Sequence, residues 1–170
     1  TAMNPYFEQM LGAGRIRPGA LGAITFHQYP YCDGPNASAG TVLGLGCLEK
    51  LQLAATALTA VGARHGLDVL AGEGSNCWTG GVRNVSDVFL DAFYYAYQLQ
   101  IMSAHGVRSV IRQTLLGNTY QLVNASTLRP NPSYWIAWVW RRLVGRAALR
   151  FTWQPSAKPP PSALRASVHC

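Results

Sequence analysis

The sequence is poor in charge. Only 12% of its 170 residues are charged and 49% are apolar, whereas a typical globular domain has about 25% charged residues. This combination argues against a disordered chain and against an acidic or basic tail. The few charges are unbalanced, because fourteen lysines and arginines face seven acids and give a net charge of +7. Such an imbalance suits a polyanionic partner, either nucleic acid or an acidic polysaccharide.

Long hydrophobic runs are also lacking. The longest nearly uncharged apolar stretch, residues 51–63, is shorter than the ~20 residues that span a bilayer, so we expect no transmembrane segment. The N-terminus does not show the charged-then-apolar pattern of a signal peptide. The chain does not open with Met and stops in a strand-like run, which predicts that it is an excerpt from a longer protein.

Cysteine and histidine are few and scattered. No two cysteines have the Cys-x-x-Cys spacing and the histidines lie far apart, so we expect no metal site and no cofactor. Cys32 and Cys47 flank a glycine-rich loop that a disulfide could close. Asn-x-Ser sequons at Asn36, Asn84 and Asn124 are candidate glycosylation sites. These features favour the secretory pathway, with an extracellular, cell-wall, lysosomal or vacuolar location.

What the sequence does contain is a strand followed by a helix, three times over. Hydrophobic patterning predicts strands over residues 22–29, 67–73 and 107–116. Apolar residues at helical spacing predict helices over about 48–65, 90–101 and 131–145, and the first of them meets a stop signal at Gly66. Strands that alternate with helices of this length imply parallel strands in an open sheet or a barrel.

The two faces of the predicted strands decide between these folds. One face is apolar and includes Ile24, Phe26, Leu70 and Ile111, and it is expected to lie under the helices. The other face carries His27 and Glu73 on the first two strands and becomes more polar toward the C-terminal ends, as in a barrel with its active site at that rim. We therefore predict an α/β fold: the last three βα units of a (β/α)8 TIM barrel over residues 1–145, then the start of a β-sandwich domain over residues 146–170.

Glu73 is the most informative single residue. It is an acid at the end of an apolar strand, a position where charge is rare without a purpose. We predict that it is a carboxylate nucleophile, which needs ionisation and nearby hydrogen-bond donors. Arg112 is expected on the same face of the next strand. It could favour the charged form of Glu73, or it could pair with Glu73 only to tie the two strands together. His27 and Tyr29 end at the same rim and could hydrogen-bond to Glu73 or to a sugar hydroxyl.

Three motifs then make the sequence recognisable. They are Ile-Thr-Phe-His-Gln-Tyr at residues 24–29, Gly-Glu-Gly-Ser-Asn at 72–76 with Thr-Gly-Gly at 79–81, and Arg-Gln-Thr-Leu-Leu-Gly-Asn-Thr-Tyr at 112–120. In order and spacing this set resembles the heparanase-like β-glucuronidases of glycoside hydrolase family 79. The resemblance extends from about residue 22 to residue 145, and residues 164–170 look like a strand of that family's β-domain.

The resemblance implies a retaining glycosidase that cleaves β-glucuronides. It implies that Glu73 is the nucleophile and that His27 and Tyr29 line the site. It also implies that the backbone at Thr79 and Gly80, with the Tyr120 hydroxyl, holds the carboxylate of glucuronic acid, although Thr79 stands where the family prefers glycine. The implied partner is an acidic oligo- or polysaccharide that contains glucuronic acid.

The acid/base glutamate that the resemblance implies follows an Asn on an earlier strand, outside these residues. Among the acids of this chain, only Asp33, in the loop after Tyr29, could approach the rim. We therefore expect no turnover from this chain alone.

Two other functions stay open at this stage. The chain could be a barrel glycosidase for another sugar, because rim loops set specificity while the scaffold does not. It could also be a non-catalytic carbohydrate-binding homologue. A nucleic-acid partner is not expected, because charge alone supports it and there is no cluster of basic residues or RNA-binding motif.

Overall fold

A computed structural model describes residues 3–14, 16–17, 19–30, 36–149 and 168–169 of the chain. The elements follow in the order α1 (Met3–Gly12), β1 (Ala23–Gln28), α2 (Ala39–Val42), α3 (Leu45–His65), β2 (Asp68–Gly74), α4 (Leu90–Ala104), β3 (Ser109–Arg112), α5 (Pro132–Leu143), β4 (Ala148–Leu149) and β5 (Val168–His169). The order of strands and helices is that of an α/β fold, as the sequence predicts.

The central sheet has the order β1-β2-β3, and both strand pairs are parallel. Helices α3 and α4 connect the successive strands and pack against one face of the sheet. Burial of apolar side chains between sheet and helices supplies the main stabilisation of this layered arrangement. The core includes Phe26, Leu51, Leu58, Tyr94 and Met102.

Helix α3 begins and ends close to where the sequence predicts. Its apolar residues at helical spacing, among them Leu51, Ala55 and Leu58, are buried. Gly66 ends the helix with φ of 66°, a left-handed conformation that glycine adopts without a Cβ penalty. By length and composition alone, the segment Ala39–His65 would also pass for a membrane-spanning helix, a test that core helices of folded domains meet as well.

The assignment of faces on β2 and β3 needs correction. Val69 and Ala71 are buried, and they pair with the buried residues Ile24 and Phe26 of β1. Leu70, predicted on that face, is therefore on the opposite one. On β3, Val110 packs against the core, whereas Ile111, predicted under the helices, is 53% exposed.

Strand β3 is also shorter than the predicted strand over residues 107–116. It ends at Arg112, and the next residue, Gln113, donates its backbone N–H to the carbonyl of Gly74 at 3.0 Å. Beyond the sheet, β4 and β5 form an antiparallel pair in which Ala148 faces His169. Most of the predicted C-terminal β-domain lies outside the described residues, so the domain boundary at residue 146 stays a prediction.

Candidate active site

A β-bulge in β2 positions the carboxylate of Glu73. Phe26 pairs with Ala71, but the next residue of β1, His27, pairs with Glu73, so that Gly72 is the extra residue. An extra residue reverses the alternation of side chains beyond it. Glu73 therefore leaves the face shared by Val69 and Ala71 and lies beside His27.

The glycines on either side of Glu73 lie close to neighbouring parts of the chain, and Gly74 has no room for a Cβ. A Cβ on Gly74 would lie 2.7 Å from the carbonyl oxygen of Gln28 and 2.9 Å from the amide nitrogen of the buried Gln98. A Cβ on Gly72 would lie 3.3 Å from the Cβ of Thr25. The Gly-Glu-Gly sequence therefore lets β1 and β2 approach closely at the point where the acid is placed.

The structure brings together Glu73 and the two residues predicted to line the site with it. The Tyr29 hydroxyl donates a hydrogen bond to Glu73 Oε1 at 2.6 Å. His27 Nδ1 lies 3.7 Å from the same oxygen. The Glu73 side chain is one-third exposed, so its carboxylate is accessible from the open face of the sheet.

Burial and the hydrogen bond to Glu73 both raise the pKa of Tyr29 above its usual value. The phenol therefore keeps its proton at neutral pH and stays a donor to Oε1. Within the described residues, Glu73 Oε2 has no hydrogen-bond partner, so one oxygen of the carboxylate is available for a further contact.

Tyr120 lies behind this pair. It is only 2% exposed, and the pKa of its hydroxyl is raised, chiefly by burial. The phenol lies near Tyr29 and the backbone of Gly80. It is therefore placed between the Glu73 group and the loop that follows β2.

The loop after β2 has an unusual backbone. Thr79, Gly80 and Gly81 all have positive φ, of 60°, 87° and 86°. A left-handed backbone conformation is costly for a β-branched residue such as Thr79. This cost gives a physical reason why the family that the sequence resembles prefers glycine at that position. The carbonyl oxygen of Gly80 accepts hydrogen bonds from the backbone and the hydroxyl of Thr119 at 3.0 and 2.7 Å. Two loops are joined in this way beside Glu73.

Arg112 does not pair with Glu73, so both sequence-based interpretations of Arg112 were wrong. It shares the helix-facing side of β3 with Val110, and its Nη2 pairs with Asp91 Oδ2 of α4 at 2.5 Å. Both side chains are 3% exposed. The reason is the bulge at Gly72, which turns Glu73 to one side of the sheet while Arg112 stays on the other.

The pair of Arg112 and Asp91 is a feature that sequence reasoning missed. Ser133, at the start of α5, donates its hydroxyl to the same Asp91 oxygen at 2.5 Å. Arg112 also donates to the carbonyl of Tyr120 at 3.3 Å and lies 4.7 Å from the centre of the Tyr95 ring. The signal was present, because Asp91 falls on the buried face of α4 with Tyr94, Tyr95 and Gln98, where an acid without a partner is costly.

The remaining predicted residues lie away from this group. Cys47 is disulfide-bonded and Cys77 is a buried free cysteine; the proposed partner, Cys32, lies outside the described residues. Asn36 and Asn84 are exposed, as glycosylation acceptors need to be, whereas Asn124 is half-buried. The Asn124 side chain accepts hydrogen bonds from the backbone of Ser126 and Thr127.

Comparison with known proteins gives consistent relatives. The chain matches no protein-family profile. It is 31% identical over 175 residues to heparanase-like protein 2 of Arabidopsis thaliana, an alignment that covers 99% of this chain and 32% of the relative. It is 33% identical over 131 residues to the hyaluronoglucuronidase of Hirudo nipponia, with 75% and 27% covered. It is 28% identical over 155 residues to the heparanase of Gallus gallus, with 89% and 28% covered.

A solved structure is similar to the fold. The GH51 arabinofuranosidase from Xanthomonas axonopodis pv. citri superposes with a TM-score of 0.62 and 14% identity, over 81% of this chain and 32% of that one. At this identity the likeness shows the fold alone. The chain spans about a third of the length of the curated relatives it matches. The sequence similarities to the heparanase-like and glucuronidase relatives support a heparanase-type family for this chain.

Proposed function

We propose that this chain is part of a retaining glycoside hydrolase of family 79 that cleaves β-glucuronides, with Glu73 as its nucleophile. The observation that carries the proposal is the Tyr29 hydroxyl held 2.6 Å from Glu73 Oε1, with His27 beside the same oxygen. Heparanase-like and glucuronidase names among the relatives support the reaction class. The parallel sheet and the arabinofuranosidase likeness support a partial (β/α)8 barrel.

The chemistry assigned to this chain is the formation of a glycosyl ester. The free oxygen of the Glu73 carboxylate attacks the anomeric carbon of the sugar, and the bond from that carbon to the leaving oxygen breaks. An acid outside these residues gives the leaving oxygen its proton. Water then cleaves the ester, which releases the sugar and restores the carboxylate.

Tyr29 and His27 position the nucleophile. The hydrogen bond from Tyr29 restrains the rotamer of Glu73, because it holds one of the two carboxylate oxygens and leaves the other without a partner among the described residues. The exposed His27 ring is placed to contact a sugar hydroxyl. The backbone N–H groups of Thr79 and Gly80, with the hydroxyl of Tyr120, are the groups proposed to bind the uronate carboxylate.

A glycosyl donor with a good leaving group tests the nucleophile in this chain. A 2,4-dinitrophenyl 2-deoxy-2-fluoro-β-glucuronide needs no acid to expel its leaving group, so the missing acid/base residue does not matter. We expect a mass increase of one fluoroglucuronosyl unit on the intact protein, mapped to Glu73 after digestion. Glu73→Gln is expected to remain unlabelled, and Glu49→Gln, which removes an exposed acid from α3, is expected to label normally.

Other outcomes of this experiment separate the parts of the proposal. A label on a different carboxylate, or none at all, would refute Glu73 as the nucleophile. Equal labelling by the corresponding glucoside would leave the nucleophile intact and contradict uronate specificity. An ordinary aryl β-glucuronide is expected to show no turnover, because acid/base help contributes ~10²–10⁴-fold.

A secretory location is a separate part of the proposal. The disulfide-bonded Cys47 supports an oxidising compartment, and exposed sequons at Asn36 and Asn84 support glycosylation. Expression through a eukaryotic secretory pathway, followed by N-glycosidase treatment, is expected to lower the mass of the protein. An unchanged mass would contradict glycosylation.

A further inference from the structure

A buried ion pair lies at the C-terminal end of β3. Arg112 Nη2 contacts Asp91 Oδ2 at 2.5 Å, and each of the two side chains is 3% exposed. The pair joins β3 to α4, and Ser133 extends it to α5 by donating its hydroxyl to the same Asp91 oxygen at 2.5 Å. Three elements are therefore held together at the point where the chain leaves β3 for the loop that contains Tyr120.

Arg112 makes a second set of contacts, with Tyr120 in that loop. Its Nη2 also donates to the backbone carbonyl of Tyr120 at 3.3 Å. The guanidinium carbon lies 4.7 Å from the centre of the Tyr95 ring and 5.8 Å from the centre of the Tyr120 ring, within the ~6 Å range of cation–π contacts. Arg112 thus contacts both the main chain and the ring of Tyr120.

Tyr120 is in turn a neighbour of the Glu73 group. Its phenol lies near Tyr29, and the Tyr29 hydroxyl donates to Glu73 Oε1 at 2.6 Å. Tyr120 is 2% exposed, and in a closely packed interior a displaced ring moves the side chains around it. Arg112, on the helix-facing side of the sheet, is therefore connected through two tyrosines to Glu73 on the open side.

The stability of the fold does not by itself explain why two charges are buried here. Removing both charges from water costs about as much as their attraction returns, and well-packed apolar residues of similar volume are often as stable or more stable. A guanidinium offers two features that apolar side chains lack, a planar set of N–H donors and a flat face that stacks on aromatic rings. Arg112 uses both features on Tyr120.

We propose that Arg112, oriented by Asp91, is a positioning residue for the nucleophile. Arg112 fixes Tyr120, and Tyr120 limits the positions open to Tyr29. The Tyr29 hydroxyl then restrains the Glu73 carboxylate. The proposal rests on the proposed function, because it takes Glu73 to be the nucleophile. It gives a role in the reaction to two charged side chains that do not touch the substrate.

Three variants separate positioning from stability. The double variant Asp91→Leu/Arg112→Met replaces the pair with apolar side chains and leaves no unpaired charge, so it is expected to fold. Arg112→Lys keeps a cation beside Asp91 but lacks the planar donors and the flat face that contact Tyr120. Ser133→Ala removes one hydrogen bond from Asp91 and leaves the contacts of Arg112 with Tyr120 in place, so it is the matched control.

The first measurement is the rate at which the dinitrophenyl fluoroglucuronide labels Glu73. Each variant is compared with the unchanged chain at a temperature at which thermal unfolding shows both to be folded. We expect labelling of the double variant and of Arg112→Lys to be slower by about 10–100-fold, because misplacement of a reacting group by a distant mutation has a cost of that order. Ser133→Ala is expected to be labelled at nearly the unchanged rate.

The second measurement does not depend on labelling. The ¹³Cζ resonance of a tyrosine shifts when the hydrogen bonding of its phenol changes, and Tyr29→Phe identifies the resonance of Tyr29. We expect this resonance to shift in the double variant and in Arg112→Lys, and to stay in place in Ser133→Ala. A pair that only stabilised the fold would leave the resonance unmoved in every folded variant.

Several results would overturn the proposal. They are an unmoved Tyr29 resonance in the folded double variant or in Arg112→Lys, labelling of either at the unchanged rate, and an equal effect of Ser133→Ala. If the double variant does not fold, Arg112→Lys alone decides. If Glu73 of the unchanged chain is not labelled but the Tyr29 resonance shifts as expected, the positioning of Tyr29 by Arg112 stands and the proposed nucleophile fails.

Discussion

The contacts of single residues determine which charged groups belong to the candidate site. Glu73 is held by a protonated tyrosine and keeps one oxygen free, which suits a nucleophile. Asp91 is held by an arginine and a serine and is buried, which suits a structural acid. Two carboxylates of the same chain thus differ in role because their neighbours and their access to solvent differ.

The buried pair of Asp91 and Arg112 gives a clear expectation for stability. Asp91→Asn removes the charge that compensates a 3% exposed arginine. We expect the free energy of unfolding to fall by about 3–5 kcal/mol, measured by urea denaturation. Asp68→Asn, which breaks the exposed pair with Arg108, is the matched control and is expected to cost less than about 1 kcal/mol.

The apolar double variant Asp91→Leu/Arg112→Met separates packing from charge. It leaves no unpaired charge, so most of the loss caused by Asp91→Asn is expected to be recovered. A double variant as unstable as Asp91→Asn would mean that the charge pair itself, and not the avoidance of a lone charge, stabilises the fold.

The sequence was sufficient to predict which residues surround Glu73 but not what Arg112 does. His27 and Tyr29 follow β1 in ordinary alternation, so a period of two places them correctly. Arg112 was assigned to the face of Glu73 by the same rule. The rule failed because a bulge changes the alternation, and Gly72 carries no sign in the sequence that distinguishes a bulge from a regular strand residue.

At the scale of elements, the close contact of α3 with β2 depends on one small residue. A Cβ on Gly62 would lie 2.6 Å from the carbonyl oxygen of Leu67 and 2.6 Å from Cγ2 of Val69. We expect Gly62→Ala to lower the free energy of unfolding by about 1–3 kcal/mol, because the helix must move away from the strand.

Gly46, near the start of the same helix, is the matched control for this variant. Nothing lies within 4 Å of the position of its Cβ, so Gly46→Ala is expected to be neutral or to stabilise by up to about 1 kcal/mol through helix propensity. Thermal or urea denaturation of the two variants measures the difference. A similar effect of both would show that contact with β2 is not what makes Gly62 necessary.

The elements themselves were predicted better than their ends. Helix α3 and strands β1 and β2 lie where their patterns place them, because Gly66 and the loop glycines are strong stop signals. Strand β3 was predicted four residues too long at its C-terminal end, since Leu115 and Leu116 continue an apolar pattern. These two residues are 58% and 49% exposed, and the last backbone hydrogen bond to β2 is the one from Gln113.

At the scale of the whole molecule, several buried tyrosines make the free energy of unfolding depend on pH in the alkaline range. Burial raises the pKa of Tyr94 well above 10.0 and also raises that of Tyr95. The folded state therefore holds these protons at a pH where the unfolded state has lost them. The contribution is fully present below pH 10 and falls as the pH rises further.

We expect the free energy of unfolding to decrease by about 1.4 kcal/mol per pH unit above pH 10 for Tyr94 alone. Urea midpoints between pH 8 and pH 11 measure the decrease. Tyr94→Phe removes this titrating group, and its stability is expected to fall less steeply over the same range. An identical slope in Tyr94→Phe would contradict the role of this phenol.

The bulge in β2 has a consequence for the evolution and engineering of this strand. Gly72 and Glu73 together stand opposite one residue of β1, so a deletion of Gly72 would restore a regular pleat and still leave the acid beside His27. A strand that became regular while keeping all its residues would instead carry the acid to the side covered by α3 and α4, where an ionised carboxylate loses its hydration. The strand is therefore expected to tolerate a one-residue deletion at Gly72 better than a change that straightens the bulge without shortening it.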